Sequence, residues 1–156
     1  MIPFCAGLPG LSPHRPSQNG PALTSPTMPT ALVVADGSWV TNEVRSALSI
    51  GSWQIEETND PRSVTDRLEE SRVDAVIIDM QVGSKGGMAV VRSIRQATDP
   101  TDRPRMVLLL DRSADEFLAR RAGADASVLK PFDAPDLRRA LAMQPVSAAA
   151  AADEEE

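Results

Sequence analysis

The feature that most constrains this chain is an alternation repeated five times between residues 31 and 143: a short apolar run, then a stretch with helical spacing. The runs are Ala31-Leu32-Val33-Val34, Trp53-Gln54-Ile55-Glu56, Ala75-Val76-Ile77-Ile78, Met106-Val107-Leu108-Leu109-Leu110 and Ala126-Ser127-Val128-Leu129. Ala75–Ile78 and Met106–Leu110 are continuously apolar, as strands covered on both faces are. The second run reads as half exposed. Between the runs, the apolar positions recur as they do on one face of a helix. They are Trp39, Val40, Val44, Ala47 and Leu48; Val64 and Leu68; Met88, Val91 and Ile94; Phe117, Leu118 and Ala122; and Leu137, Leu141 and Met143. Asp60-Pro61 reads as an N-cap followed by Pro at the first helical position. Gly123 ends the fourth helix and Asp133 caps the fifth. Strand-then-helix repeated five times implies crossover connections. The expected fold is therefore α/β, a doubly wound parallel sheet with helices on both faces.

Flanking segments differ from this core. Residues 1–30 hold seven of the thirteen prolines and three of the nine glycines, with no hydrophobic period. They are expected to be extended, either as an unstructured leader or as an arm that orders against a partner. Residues 144–156, QPVSAAAAADEEE, read as a frayed acidic tail, because a negative run opposes the dipole at a helix C-terminus. Three parts are thus expected: an arm (1–30), one compact domain (31–143) and a tail (144–156).

Composition removes several functions. A net charge of −6 disfavours nucleic acid as a partner. The absence of Tyr and scarcity of Phe and Trp argue against a base-stacking surface. The single Cys (Cys5) and single His (His14) exclude a disulfide framework and a His/Cys metal cluster, and their place in residues 1–30 disfavours nucleophilic catalysis. No apolar run is long enough to span a bilayer. The N-terminus lacks Lys or Arg before its short apolar stretch, which makes a poor signal peptide, so a cytoplasmic location is expected. The loop Ala35-Asp36-Gly37-Ser38 has one Gly and forms no phosphate cradle, which disfavours a flavin-type cofactor enzyme.

The strand ends are the informative positions, because ligands bind at the carboxyl ends of the strands in such sheets. The first strand ends in Ala35-Asp36, the third in Asp79, the fourth in Asp111 and the fifth in Lys130-Pro131-Phe132. A single Asp at a strand end commonly caps the next helix. Three carboxylates and one Lys at one rim point instead to a site.

Through these residues, and through DAVIIDMQVGSKGG and AGADASVLKPF at their spacing, residues 31–143 resemble the receiver domains of bacterial response regulators. The resemblance implies a flavodoxin-like fold with strand order 2-1-3-4-5 and a signalling rather than enzymatic role. It implies that Asp79 accepts a phosphoryl group from a histidine kinase, that Lys130 contacts that group, and that Pro131 follows it as in the family. It implies Mg2+ held by Asp36 and Asp79, neutralising charge during transfer, and no other cofactor.

The sequence also departs from the family. Ala35 replaces the first of two adjacent acids, which weakens the implied Mg2+ site. Asp111 stands at the Ser/Thr position, Ser127 at the switch aromatic, and Val82-Gly83 replaces the usual Met-Pro. The segment from Asp111 to Gly123 is shortened. A carboxylate about 4 Å from an incoming phosphoryl group costs roughly 4 kcal/mol at an effective dielectric near 20. Lys130 is free to pair with Asp79 and Asp111 instead, which gives a degenerate receiver held in one state.

Thirteen residues after position 143 leave no room for a helix-turn-helix module, so the expected action is through protein contacts. By resemblance, the partner surface is the fourth helix, fifth strand and fifth helix, carrying Phe117, Arg120, Arg121, Arg138 and Arg139. Arg suits interfaces. The run VLLLDRSADEFLARRAGADASVLKPFDAPDLRRAL also resembles orphan actinobacterial, especially mycobacterial, receiver-like proteins associated with respiratory complex I. That resemblance implies an accessory subunit held on the cytoplasmic face of the membrane by its protein partner. The alternative partner is a histidine kinase in a phosphorelay.

Overall fold

The structure, a computed structural model, describes residues 28–51 and 53–142. The expectations for residues 1–27, Met143 and the acidic tail lie outside these residues. Five strands form one parallel sheet: β1 (Thr30–Val34), β2 (Gln54–Thr58), β3 (Ala75–Asp79), β4 (Arg105–Leu110) and β5 (Ala126–Leu129). Their order is β2-β1-β3-β4-β5. The helices are α1 (Ser38–Leu48), α2 (Val64–Glu70), α3 (Gly87–Ala97), α4 (Glu116–Ala122) and α5 (Ala134–Ala142), with one 3-10 turn at Ser113–Asp115. The expected α/β fold and strand order are therefore found. Among the described residues, no helix is long and apolar enough to cross a membrane.

Strand alternation divides the core in two. Ala31, Val33, Ala75, Ile77, Val107 and Leu109 face α1 and α5, beside Val40, Val44, Leu48 and Leu137. Leu32, Val34, Val76, Ile78, Met106, Leu108 and Leu110 face the other way, toward Val64, Val90, Val91, Ile94 and Ala119. Apart from Thr30, Asp79 and Arg105 at their ends, β1, β3 and β4 are apolar because each face has a helical layer on it. β2 and β5 are edge strands. β2 is half-buried to exposed throughout, and Leu129 of β5 is exposed.

Three local expectations are corrected. Asp60-Pro61 does not begin α2. The Asp60 carboxylate accepts the Arg62 N–H at 2.9 Å and the Asp60 carbonyl accepts the Ser63 N–H at 3.2 Å. Pro61 thus sits inside a turn, where its fixed φ suits the second position, and the helix starts at Val64. Trp39 is not on the buried stripe of α1, which is Val40, Thr41, Val44, Ala47 and Leu48. Phe117 and Leu118 lie on the exposed side of α4, whose buried face is Ala119 and Ala122. α4 does end at Gly123, whose φ of 102° is a left-handed conformation that glycine adopts freely.

Candidate functional site

Strand register assembles the site. Asp79 pairs with Leu109, and Leu110 pairs with Leu129. The ladder continues one step past both strand ends: Met80 N–H donates to the Leu109 carbonyl at 3.0 Å, and Lys130 N–H to the Leu110 carbonyl at 2.7 Å. Asp79, Asp111 and Lys130 therefore leave three neighbouring strands side by side. The Lys130-Pro131 peptide bond is cis.

Lys130 Nζ donates to Asp79 Oδ1 at 2.8 Å and lies 2.9 Å from Asp111 Oδ1. The Lys130 and Asp79 side chains are 6% and 8% exposed, while that of Asp111 is 36% exposed. Burial opposes the charge on Lys130, but hydrogen bonds and Coulomb attraction from both carboxylates outweigh it. The Lys130 pKa is held above its ordinary value. A low local dielectric strengthens each of these contacts.

Asp36 is not one of the Lys130 partners. It is exposed, and its Oδ2 accepts the Gly83 N–H at 2.8 Å, tying the β1–α1 turn to the β3–α3 loop. Asp79 Oδ1 also accepts the Gln81 N–H at 3.3 Å. As arranged, the two implied Mg2+ ligands are partly occupied by protein donors. Asp36 Oδ2 is engaged by a backbone amide and Asp79 Oδ1 by Lys130 and Gln81, and the Ala35 side chain offers no oxygen. Among the described residues, no three His, Cys, Asp or Glu are grouped to hold a metal.

The expected partner surface is placed unevenly. Phe117 is 65% exposed on α4. Arg120 lies 3.6 Å from Glu116, Arg139 lies 3.8 Å from Asp136, and Arg121 is exposed. Arg138 is not presented with them: its Nε donates to the Ala47 carbonyl at 3.0 Å and ties α5 to α1. Ser127 is half-buried on β5.

Four neighbours of the site carry no role in the sequence reading. The Trp39 ring lies 5.4 Å from Lys130 Nζ. Its place three residues past Asp36, in the first turn after a strand end, was the available signal. The backbone amides of Gln81 and Gly83 carry no sequence signal. Gly87 lies beneath Asp79, where an added Cβ would meet the Asp79 carbonyl at 2.6 Å.

Known proteins are similar to this chain in sequence and in fold. The response regulator receiver domain family matches residues 31–142. A response regulator MprA from Mycolicibacterium vanbaalenii is 35% identical over 107 residues, covering 68% of this chain and 46% of that protein. The chain thus spans under half the length of that relative. The N-terminal receiver domain of a two-component response regulator from Bacteroides fragilis superposes with a TM-score of 0.61 at 28% identity. That match covers 74% of this chain and 94% of the other. The chemotaxis response regulator CheY4 of Vibrio cholerae superposes with a TM-score of 0.65 at 23% identity, covering 74% and 97%. From residue 31 to residue 142, in sequence and in strand order, this chain belongs to the response regulator receiver domain family.

Proposed function

We propose that this receiver domain is held in one state by its own charges and acts through protein contacts rather than through a phosphoryl switch. The observation that carries the reading is the position of Asp111, whose carboxylate lies 2.9 Å from the Lys130 ammonium already bound to Asp79. A phosphoryl group on Asp79 would meet a fixed negative charge where the family places a neutral hydroxyl. It would also compete with that charge for Lys130. Ser127 offers no ring to report the event. The exposed Phe117, Leu118 and Leu129, with Arg120, Arg121 and Arg139, support a contact surface on α4, β5 and α5. Association with respiratory complex I rests on sequence resemblance alone.

The second reading, a phosphoacceptor serving a histidine kinase, is favoured by Asp79 itself. It sits at the end of β3 with Lys130 at 2.8 Å, as the family resemblance requires. Backbone amide spectra separate the two readings. With acetyl phosphate and excess Mg2+, the first expects an unchanged spectrum. Shifts spreading from Asp79 into β4, β5 and α4 would support the second and overturn the first.

A further inference from the structure

Lys130 stands at the open rim of the sheet, yet its side chain is only 6% exposed. Asp79 and Asp111 flank its ammonium. Trp39 lies over it as well, with the ring centroid 5.4 Å from Nζ. Trp39 is itself 55% exposed and contributes nothing to the buried stripe of α1, so packing does not explain its place. An ammonium facing an indole ring is attracted by the ring quadrupole, and Trp is the strongest partner of the aromatic side chains. Residue 37 sets the indole's path. Gly37 has an ordinary extended backbone, with φ −89°. A Cβ there, however, would come within 2.9 Å of Trp39 Nε1 and 3.0 Å of Cδ1.

We propose that Trp39 is a positioning residue for Lys130: a displaceable cover whose indole face holds the ammonium against Asp79 and Asp111 and shields it from solvent and incoming anions. The proposal deepens the reading above and rests on its charge cluster, but not on whether Asp79 ever takes a phosphoryl group.

The chain has only two lysines, Lys85 and Lys130, and Lys85 is exposed. Brief acetylation with an amine-reactive ester, read by peptide mass spectrometry, gives Lys130 reactivity relative to Lys85 without any phosphodonor. In the native chain Lys130 reacts slowly. Trp39→Ala raises the ratio about five-fold, while Trp39→Phe, which keeps an aromatic face, stays near the native value. Gly37→Ala leaves Trp39 in the chain but pushes its ring aside, and it raises the ratio as well. Circular dichroism confirms that each variant is folded, and Gly37→Ala decides the matter if Trp39→Ala does not fold. An unchanged ratio in folded Trp39→Ala or Gly37→Ala overturns the proposal. So does a Trp39→Phe ratio as high as that of Trp39→Ala.

Discussion

Asp111 Oδ1 lies 2.9 Å from Lys130 Nζ, and Asp79 Oδ1 lies 2.8 Å from the same nitrogen. One cation therefore balances two carboxylates carried by two neighbouring strands. Removing any member changes the environment of the other two, so their mutational effects are expected to be non-additive.

Lys130→Met leaves the buried Asp79 carboxylate without its cation and facing Asp111. Breaking a buried pair from one side costs about 3 kcal/mol, the low end of the usual range because Asp111 is partly solvated. Urea denaturation of the native chain and the variant measures it. A loss below about 1 kcal/mol, the ceiling for exposed pairs, would show that the cluster contributes as a surface pair does.

Alkaline stability follows from the same cation. The Lys130 pKa is above its ordinary 10.5 in the folded chain, because the two carboxylates outweigh the effect of burial. A group whose folded pKa is raised contributes stability below its unfolded pKa and loses it as pH rises through the folded one. The Lys130 contribution should therefore be constant from neutral pH to about pH 10 and fall above that. Lys130→Met should lack this component. Thermal unfolding across the alkaline range reads the difference, and a loss beginning near neutral pH would contradict it.

Asp36→Ala frees the Gly83 N–H that its carboxylate now accepts. The bond is exposed, so the expected stability loss is only about 1 kcal/mol or less. The local effect should be larger. Hydrogen exchange at Gly83 should accelerate while that of β3 stays unchanged. Unaltered exchange at Gly83 would mean that Asp36 does not hold the β3–α3 loop.

Gly87→Ala places a Cβ against the Asp79 carbonyl at 2.6 Å and Leu108 Cδ1 at 2.8 Å. Backbone beneath the site has little room to move, so a cost of about 2 kcal/mol is expected. A shift of the urea midpoint with unchanged slope measures it. A neutral substitution would show that the start of α3 is looser than the packing indicates.

The strands were readable because two buried faces demand apolar residues at nearly every position of β1, β3 and β4. Helix faces were less so. Trp39 adjoins Val40, and Phe117 and Leu118 are the most apolar residues near α4, so hydrophobicity alone chose the wrong side. Small Ala119 and Ala122 form the buried face of α4 instead. The rim residues were legible because each ends a strand. Which of them meet was not, since that depends on sheet order. β4 and β3 lie next in line from β5, so Lys130 reaches Asp111 and Asp79. β1 lies one strand farther, about 4.8 Å on, and Asp36 turns to a loop amide instead.

On the proposed reading, Asp111 keeps Asp79 from working as a phosphoacceptor. The most direct measurement is the rate at which acetyl phosphate with excess Mg2+ labels Asp79, followed by intact mass, in the native chain and in Asp111→Thr. Removing the carboxylate relieves only part of a repulsion of roughly 4 kcal/mol. Relief of about 1.4 kcal/mol already raises the rate about ten-fold. The native chain should take little label, Asp111→Thr should show at least that gain, and Asp79→Asn/Asp111→Thr should take none. Rapid labelling of native Asp79, unchanged by Asp111→Thr, would contradict it.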